Sequence, residues 1–385
     1  MATLAERLAE APALIDAAEA NLDPTLVPRE WIDIALRSVP AGASFLRVDA
    51  PAMLPKGTAL DRAAERAFRP AADAAAAALT AYASWSSLGA WGEDFFRETE
   101  GALTKTSLEL GYQDWRTAIT AMREDHPAED ALVDTYRQEM ERSRAAVATA
   151  LIATVPYGED LVVEAMPEFQ RPTYPYAAYV APAPFESARK GRFWVTLPTA
   201  DDDEKTRRER LEGHPRAGIA VIACHEGYPG HHLQLTVAAD NPSLARKSLH
   251  SNLMVEGWGL YVEELMTEIG YLDAPATRLL RQKDLLWRAA RVIVDVGLST
   301  GEMSFEDAVI FMVERAKLER PNALAEVRRY TLTPLQPSSY ALGRAAILAL
   351  RDKARAAGWG MRVFHDRLLS AGSLPPRLLE RDLGL

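Results

Sequence analysis

His225-Glu226-Gly227-Tyr228-Pro229-Gly230-His231-His232-Leu233-Gln234 is the densest chemical stretch of this 385-residue chain. Three of the seven histidines fall within eight positions there, and one is followed directly by a carboxylate. Imidazole is the commonest protein ligand for zinc, and a neighbouring glutamate is a usual general base in metal-assisted hydrolysis. Just upstream, Ala217 to Cys224 (AGIAVIAC) is an unbroken run of small and apolar residues. That run predicts a buried segment carrying His225 and Glu226 into the interior.

Two histidines converge on one ion when they share a helix face one turn apart, as in H-E-x-x-H. Here the fourth position after His225 is Pro229, and the next histidines are His231 and His232 at i+6 and i+7. Pro229-Gly230 cannot continue a regular helix, because proline lacks the N–H and glycine is flexible. If those two residues bulge out, His231 takes the i+4 role. If the helix stays regular, His232 is the better aligned ligand. The first arrangement is favoured, so His225 and His231 are the expected pair. The third ligand is expected at Glu256, which opens EGWGLYVEELMTEIG. Trp258, Tyr261, Val262, Leu265, Met266 and Ile269 follow helical spacing there, and Gly270 ends the segment. Glu263, two turns on and on the same face, is placed to hold a ligand histidine from behind.

HEGYPGHHLQ followed by EGWGLYVEEL resembles the DUF885 family, zincin-like and mostly helical bacterial proteins labelled metal-dependent peptidases. The resemblance extends to AERLAEAPALIDAAEANLDPTLVPREWIDIAL near the start, to Tyr174–Pro198 (YPYAAYVAPAPFESARKGRFWVTLP) and to Arg328–Ile347 (RRYTLTPLQPSSYALGRAAI). It therefore spans most of the chain. The family's asparagine after the FWV-type strand is replaced by Thr196-Leu197-Pro198, and its P-G-Q is Pro334-Leu335-Gln336. These departures bear on substrate class more than on the metal. The resemblance implies one mainly α, zincin-like domain over 1–385: a helical part over 1–153, a small antiparallel β element over 154–200, and a helical metal-site part over 201–385.

Apolar content of 48% and charged content of 25% are ordinary for a globular protein, and a net charge of -10 argues against a nucleic-acid binder. The single cysteine, Cys224, excludes an intrachain disulfide. No basic-then-apolar leader and no run of eighteen apolar residues is found, so a cytoplasmic protein without membrane association is expected.

Along the chain, helices are expected over 3–22, 28–38 and the alanine-rich 60–85, then near 91–101, 103–123 and 128–153. Asp160–Val163 and Phe193–Thr196 read as short strands in a proline-rich tract. By the family's fold, Phe193–Pro198 would be a free edge that aligns substrate. DDDEKTRRER (201–210) reads as a solvated loop running into a helix. Helices over 274–299, 304–317, 320–329 and 338–357 complete the body.

The expected chemistry is hydrolysis of an amide or peptide bond in a small peptide or amide-like substrate. His225, His231 and Glu256 hold zinc, with manganese or iron as alternatives, and Glu226 is the general base. Tyr340 and Arg344, at i and i+4 on one helix face, or the spare His232, would steady the oxyanion. Tyr330 and Arg329 are alternatives to them. His126 and His365 read as structural, His214 as a helix-start residue and His250 as a loop residue. Two histidines and a carboxylate also suit non-haem iron or manganese, so a lyase or oxidative enzyme is the second expectation. A non-catalytic binding protein is the third.

Overall fold

A computed structural model of the chain describes residues 85–385, except 172, 173, 175 and 186–188. The helices expected over 3–22 and 28–38, and all but the last residue of 60–85, lie outside the described residues. The described residues fall into two compact units, one of 85–95 with Ala290–Leu335, the other of Phe96–Ala289 with Gln336–Leu385. The architecture is mainly helical with one three-stranded sheet. No helix among the described residues is long and apolar enough to cross a membrane.

The first described helix, α1 (Trp85–Glu109), runs through Gly101, where a break had been expected. The chain turns instead near Gly111, which takes a φ of 85° that only glycine adopts freely, and α2 (Trp115–Glu124) follows. Next comes α3 (Leu132–Thr149), which buries Leu132, Tyr136, Met140 and Val147 on one face. Leu151, the next apolar residue at helical spacing in the sequence, falls beyond the helix end and is exposed.

The sheet contains β1 (Asp160–Ala165), β2 (Ala177–Val180) and β3 (Lys190–Val195) in the order β1-β3-β2. Only β2 and β3 are antiparallel; β1 and β3 run parallel, with Val163 opposite Phe193. The expected all-antiparallel element is thus a mixed sheet. The chain passes out through β2 before it returns, so β3 enters between the other two and in the direction of β1. Residues Phe193–Val195 are consequently paired on both sides and do not form the free edge expected of them; β2 is an edge instead. Phe193 and Val195 pack with Leu132, Tyr136, Met140, Ile219 and Ala223.

Helix α4 (Glu204–Glu212) begins where Asp203 accepts a hydrogen bond from the Thr206 N–H, so the charge run is a capped helix start. After it come α5 (Arg216–Ile222), α6 (His231–Ala239), α7 (Leu244–Ser248) and α8 (Asn252–Glu268). Helix α9 (Pro275–Thr300) leads to α10 (Phe305–Glu314) and α11 (Arg320–Leu332). The chain closes with α12 (Gln336–Ala356), α13 (Met361–Ser370) and α14 (Pro376–Leu383).

Helices α8 and α12 meet backbone to backbone. A Cβ at Gly257 would overlap the Gly343 backbone, and one at Gly343 would overlap the Leu253 carbonyl oxygen. Trp258, Tyr261, Ile347, Leu350, Phe364 and Leu368 belong to one buried cluster with these two helices. His365 is fully buried there. Its Nε2 lies 2.7 Å from the Tyr261 hydroxyl and its Nδ1 2.8 Å from the Ile152 carbonyl. It is a structural link between α13 and α8, as its lack of neighbouring ligands in the sequence suggested.

Candidate metal centre

The buried run Ala217–Cys224 begins as α5 and loosens into a π-helical turn, Ala223–Gly227, that carries His225 and Glu226. The helix stops at Tyr228-Pro229, joined by a cis peptide, and restarts at His231 as α6. Gly230 sits where a Cβ would overlap the His225 carbonyl, so only glycine fits. Trp258 Nε1 donates to the Pro229 carbonyl at 2.8 Å and fastens the interruption to α8. Pro229 and Gly230 thus leave the helical path.

That interruption sets His231, not His232, against His225, with ring centroids 4.8 Å apart and rings nearly perpendicular. Ligand atoms of His225, Glu226 and His231 all lie within 4.8 Å of one another, the one such grouping of potential metal ligands among the described residues. Glu256, from the first turns of α8, lies outside this group but beside one member of it, its Oε2 3.6 Å from His231 Nε2. Burial alone would lower the His231 pKa. The carboxylates of Glu256 and Glu226 outweigh it and raise the value to about 9. The position therefore favours positive charge.

Glu263 approaches His225 from behind, with Oε1 2.7 Å from Nδ1. With Nδ1–H donated to that carboxylate, the lone pair of His225 is at Nε2. The ring lies against Gly259, where a Cβ would come within 2.6 Å of Cε1, 2.7 Å of Nε2 and 3.1 Å of Nδ1. The EGWG sequence thus has a separate task for each residue: Glu256 faces His231, Gly257 seats α12, Trp258 clamps Pro229 and Gly259 admits His225.

His232 turns the other way and is fully buried. Its Nε2–H donates to Glu159 Oε2 at 2.7 Å, and its Nδ1 lies 3.0 Å from the Tyr179 hydroxyl. Glu159 also accepts from the Tyr228 hydroxyl at 2.5 Å and pairs with Arg144 at 2.8 Å. Burial pushes the Glu159 carboxyl up, but His232, Tyr228 and Arg144 pull it down to about 2. Tyr179, on β2, is near enough to Glu226 that the carboxylate adds to burial in raising the phenol pKa. Gly191 on β3 makes the arrangement fit, since a Cβ there would come within 2.9 Å of the Tyr179 oxygen.

Arg344 is engaged by Glu264 of α8, Nε to Oε2 at 2.7 Å, and Tyr340 lies beneath the Arg288 guanidinium, 6.0 Å from its ring centroid. The alternatives Tyr330 and Arg329 belong to the other unit, where both bond Glu326 beside Arg291. His214 is buried against Tyr136, Nδ1 3.0 Å from the hydroxyl, and His126 Nδ1 lies 2.9 Å from the Pro127 carbonyl. Sequence reasoning missed Tyr179, Glu159 and Gly191. Tyr179 lies within the YPYAAYV tract, so a signal existed; nothing local marks Glu159 or Gly191.

The family described as "Bacterial protein of unknown function (DUF885)" matches residues 86–383. No curated protein matches the chain. Among solved structures, one described as that of "a putative lipoprotein of unknown function from Shewanella oneidensis" has a TM-score of 0.70 at 22% identity. That match covers 99% of this chain and 78% of the Shewanella chain. A second, of "the putative lipoprotein from Colwellia psychrerythraea", has a TM-score of 0.69 at 24% identity over 84% of this chain, which spans 61% of that protein. At these identities the likeness establishes the fold alone.

Proposed function

The chain belongs to the DUF885 family, and we propose that it is a metal-dependent hydrolase of amide or peptide bonds, zinc being the ion. The observation that carries this reading is the convergence of His225, Glu226 and His231 within 4.8 Å. His225, His231 and Glu256 would hold the ion, a nitrogen and oxygen donor set suited to zinc and also open to manganese or iron. Three features of the site fit it. Nδ1 of His225 is tied to Glu263, so the other nitrogen is the donor. His231 stands between two carboxylates that favour a cation. Gly259 gives the His225 ring its place, since a Cβ there would strike the ring.

A divalent ion there supplies Lewis acidity toward water and the substrate carbonyl. Glu226 accepts the proton of the attacking water and delivers it to the leaving amine. His232 has both ring nitrogens engaged, so its part is to hold Tyr179 rather than to donate to an oxyanion itself. Tyr340 remains a candidate to contact substrate, whereas Arg344 is occupied by Glu264.

The test is turnover of a peptide library by zinc-loaded protein, wild type beside Glu226→Gln. The variant should keep its metal and lose roughly 10²- to 10⁴-fold in kcat. Undiminished turnover in it would remove Glu226 as the base. Iron or manganese in the purified protein, with no peptide cleaved, would favour the lyase or oxidative alternative.

A further inference from the structure

The first part of α9, up to Ala289, carries cations that the reaction above does not use. Arg281, Asp284 and Arg288 are spaced three and four apart, so they share one face of that helix. Two electrostatic couplings set this face near the metal centre, and a ring contact ties it to Tyr340. The charges acting on Arg281 include Glu263, which holds His225, and Glu264, which engages Arg344. Those acting on Asp284 include His225 itself. The Arg288 guanidinium stands over Tyr340.

On the helix itself the cations Arg281, Lys283 and Arg288 outnumber the one carboxylate of Asp284. Lys283 and Arg288 share the single carboxylate of Asp284, at 3.4 and 3.8 Å. Arg281 has no ion pair among the described residues, and its Nε is buried without an acceptor. The Nε of Arg288 is buried and unmet in the same way. Donors of this kind are costly to leave unsatisfied, and a group of them is suited to an anionic ligand. Burial already pushes the Arg281 pKa down, which an incoming anion would reverse. A planar guanidinium matches a carboxylate in two-point geometry, which an ammonium cannot do.

We propose that Arg281 and Arg288, assisted by Lys283, form a carboxylate subsite beside the metal centre, so that the substrates are amides carrying a carboxylate near the scissile bond. Its role in turnover rests on the hydrolase reading; the binding of a carboxylate does not. The carboxylate has two sources, a free main-chain terminus or an acidic side chain, and the probes separate them.

Zinc-loaded and metal-free protein are titrated calorimetrically with N-acetylalanine, with the α-amide of N-acetylglutamate and with N-acetylalaninamide. One carboxylate probe should bind about tenfold tighter than the neutral amide, as a charge-assisted pair implies. The tighter of the two names the source. Arg288→Gln and Arg281→Gln should abolish the preference, and Arg288→Lys should keep part of it. Melting curves show whether each variant folds, and Lys283→Gln is the second variant should Arg281→Gln fail to do so. Equal binding of all three probes, or a preference that survives both glutamine variants, overturns the subsite. Zinc binding without the preference defeats the subsite alone. A preference in protein that never binds metal defeats the metal reading alone.

Discussion

Glu263 decides which nitrogen of His225 is available, and it does so from two turns beyond Glu256 on the same helix. That relation could be read in advance, because i and i+7 positions share a helix face. Glu263→Ala should weaken zinc binding by roughly 10- to 100-fold while the fold persists, the usual effect of removing a carboxylate behind a ligand histidine. A chelator competition would measure it, and unchanged affinity would exclude the positioning role. Glu159 illustrates the opposite case. Its partner His232 is 73 residues away, and GEDLVV reads only as a loop entering a strand. Contacts at such separation leave no periodic trace. Spacing favours His231 over His232 without excluding the latter for the same reason: the choice depends on the backbone path through Tyr228–Gly230, and periodicity describes only regular elements.

At the level of elements, the long amphipathic helices were legible because their apolar spacing persists over several turns. The sheet was less so. Its strands are four to six residues long, and three short runs can pair in several ways. A glycine gives no indication of its role until its neighbours are known. Gly101 and Gly343 both lie inside helices, yet a Cβ at Gly101 meets nothing within 4 Å, while one at Gly343 overlaps α8. Gly343→Ala should therefore destabilise the protein by about 1–3 kcal/mol or more, the range for overpacking. Gly101→Ala should stabilise it by about 0.5–1 kcal/mol through helix propensity. Urea unfolding of the two variants tests this contrast, and equal shifts would contradict the close approach of α8 and α12.

For the whole molecule, buried histidines give stability a dependence on pH. His214 and His365 lie in the same unit, and burial lowers each from 6.5 to about 4, more than their backbone hydrogen bonds restore. Between those two values the unfolded chain binds protons that the fold excludes, so stability falls as pH drops from 6.5 toward 4. Each group contributes a slope of up to ~1.4 kcal/mol per pH unit. Glu159, held at about 2, is charged in the fold and adds a loss only below its unfolded value of 4.5. Unfolding free energies measured from pH 7 to 4 should show a slope that His365→Gln reduces by about one proton. A slope unaffected by that variant would mean that His365 titrates normally in the fold.

The helix interruption sets His231, not His232, against His225, and the proposed metal ion depends on that pair. Plasma mass spectrometry of wild type, His225→Ala, His231→Ala and His232→Ala tests it most directly. About one zinc per chain is expected in the wild type and in His232→Ala, and its loss from the other two. Zinc lost from His232→Ala but kept in His231→Ala, or no metal in the wild type after reconstitution, would contradict it.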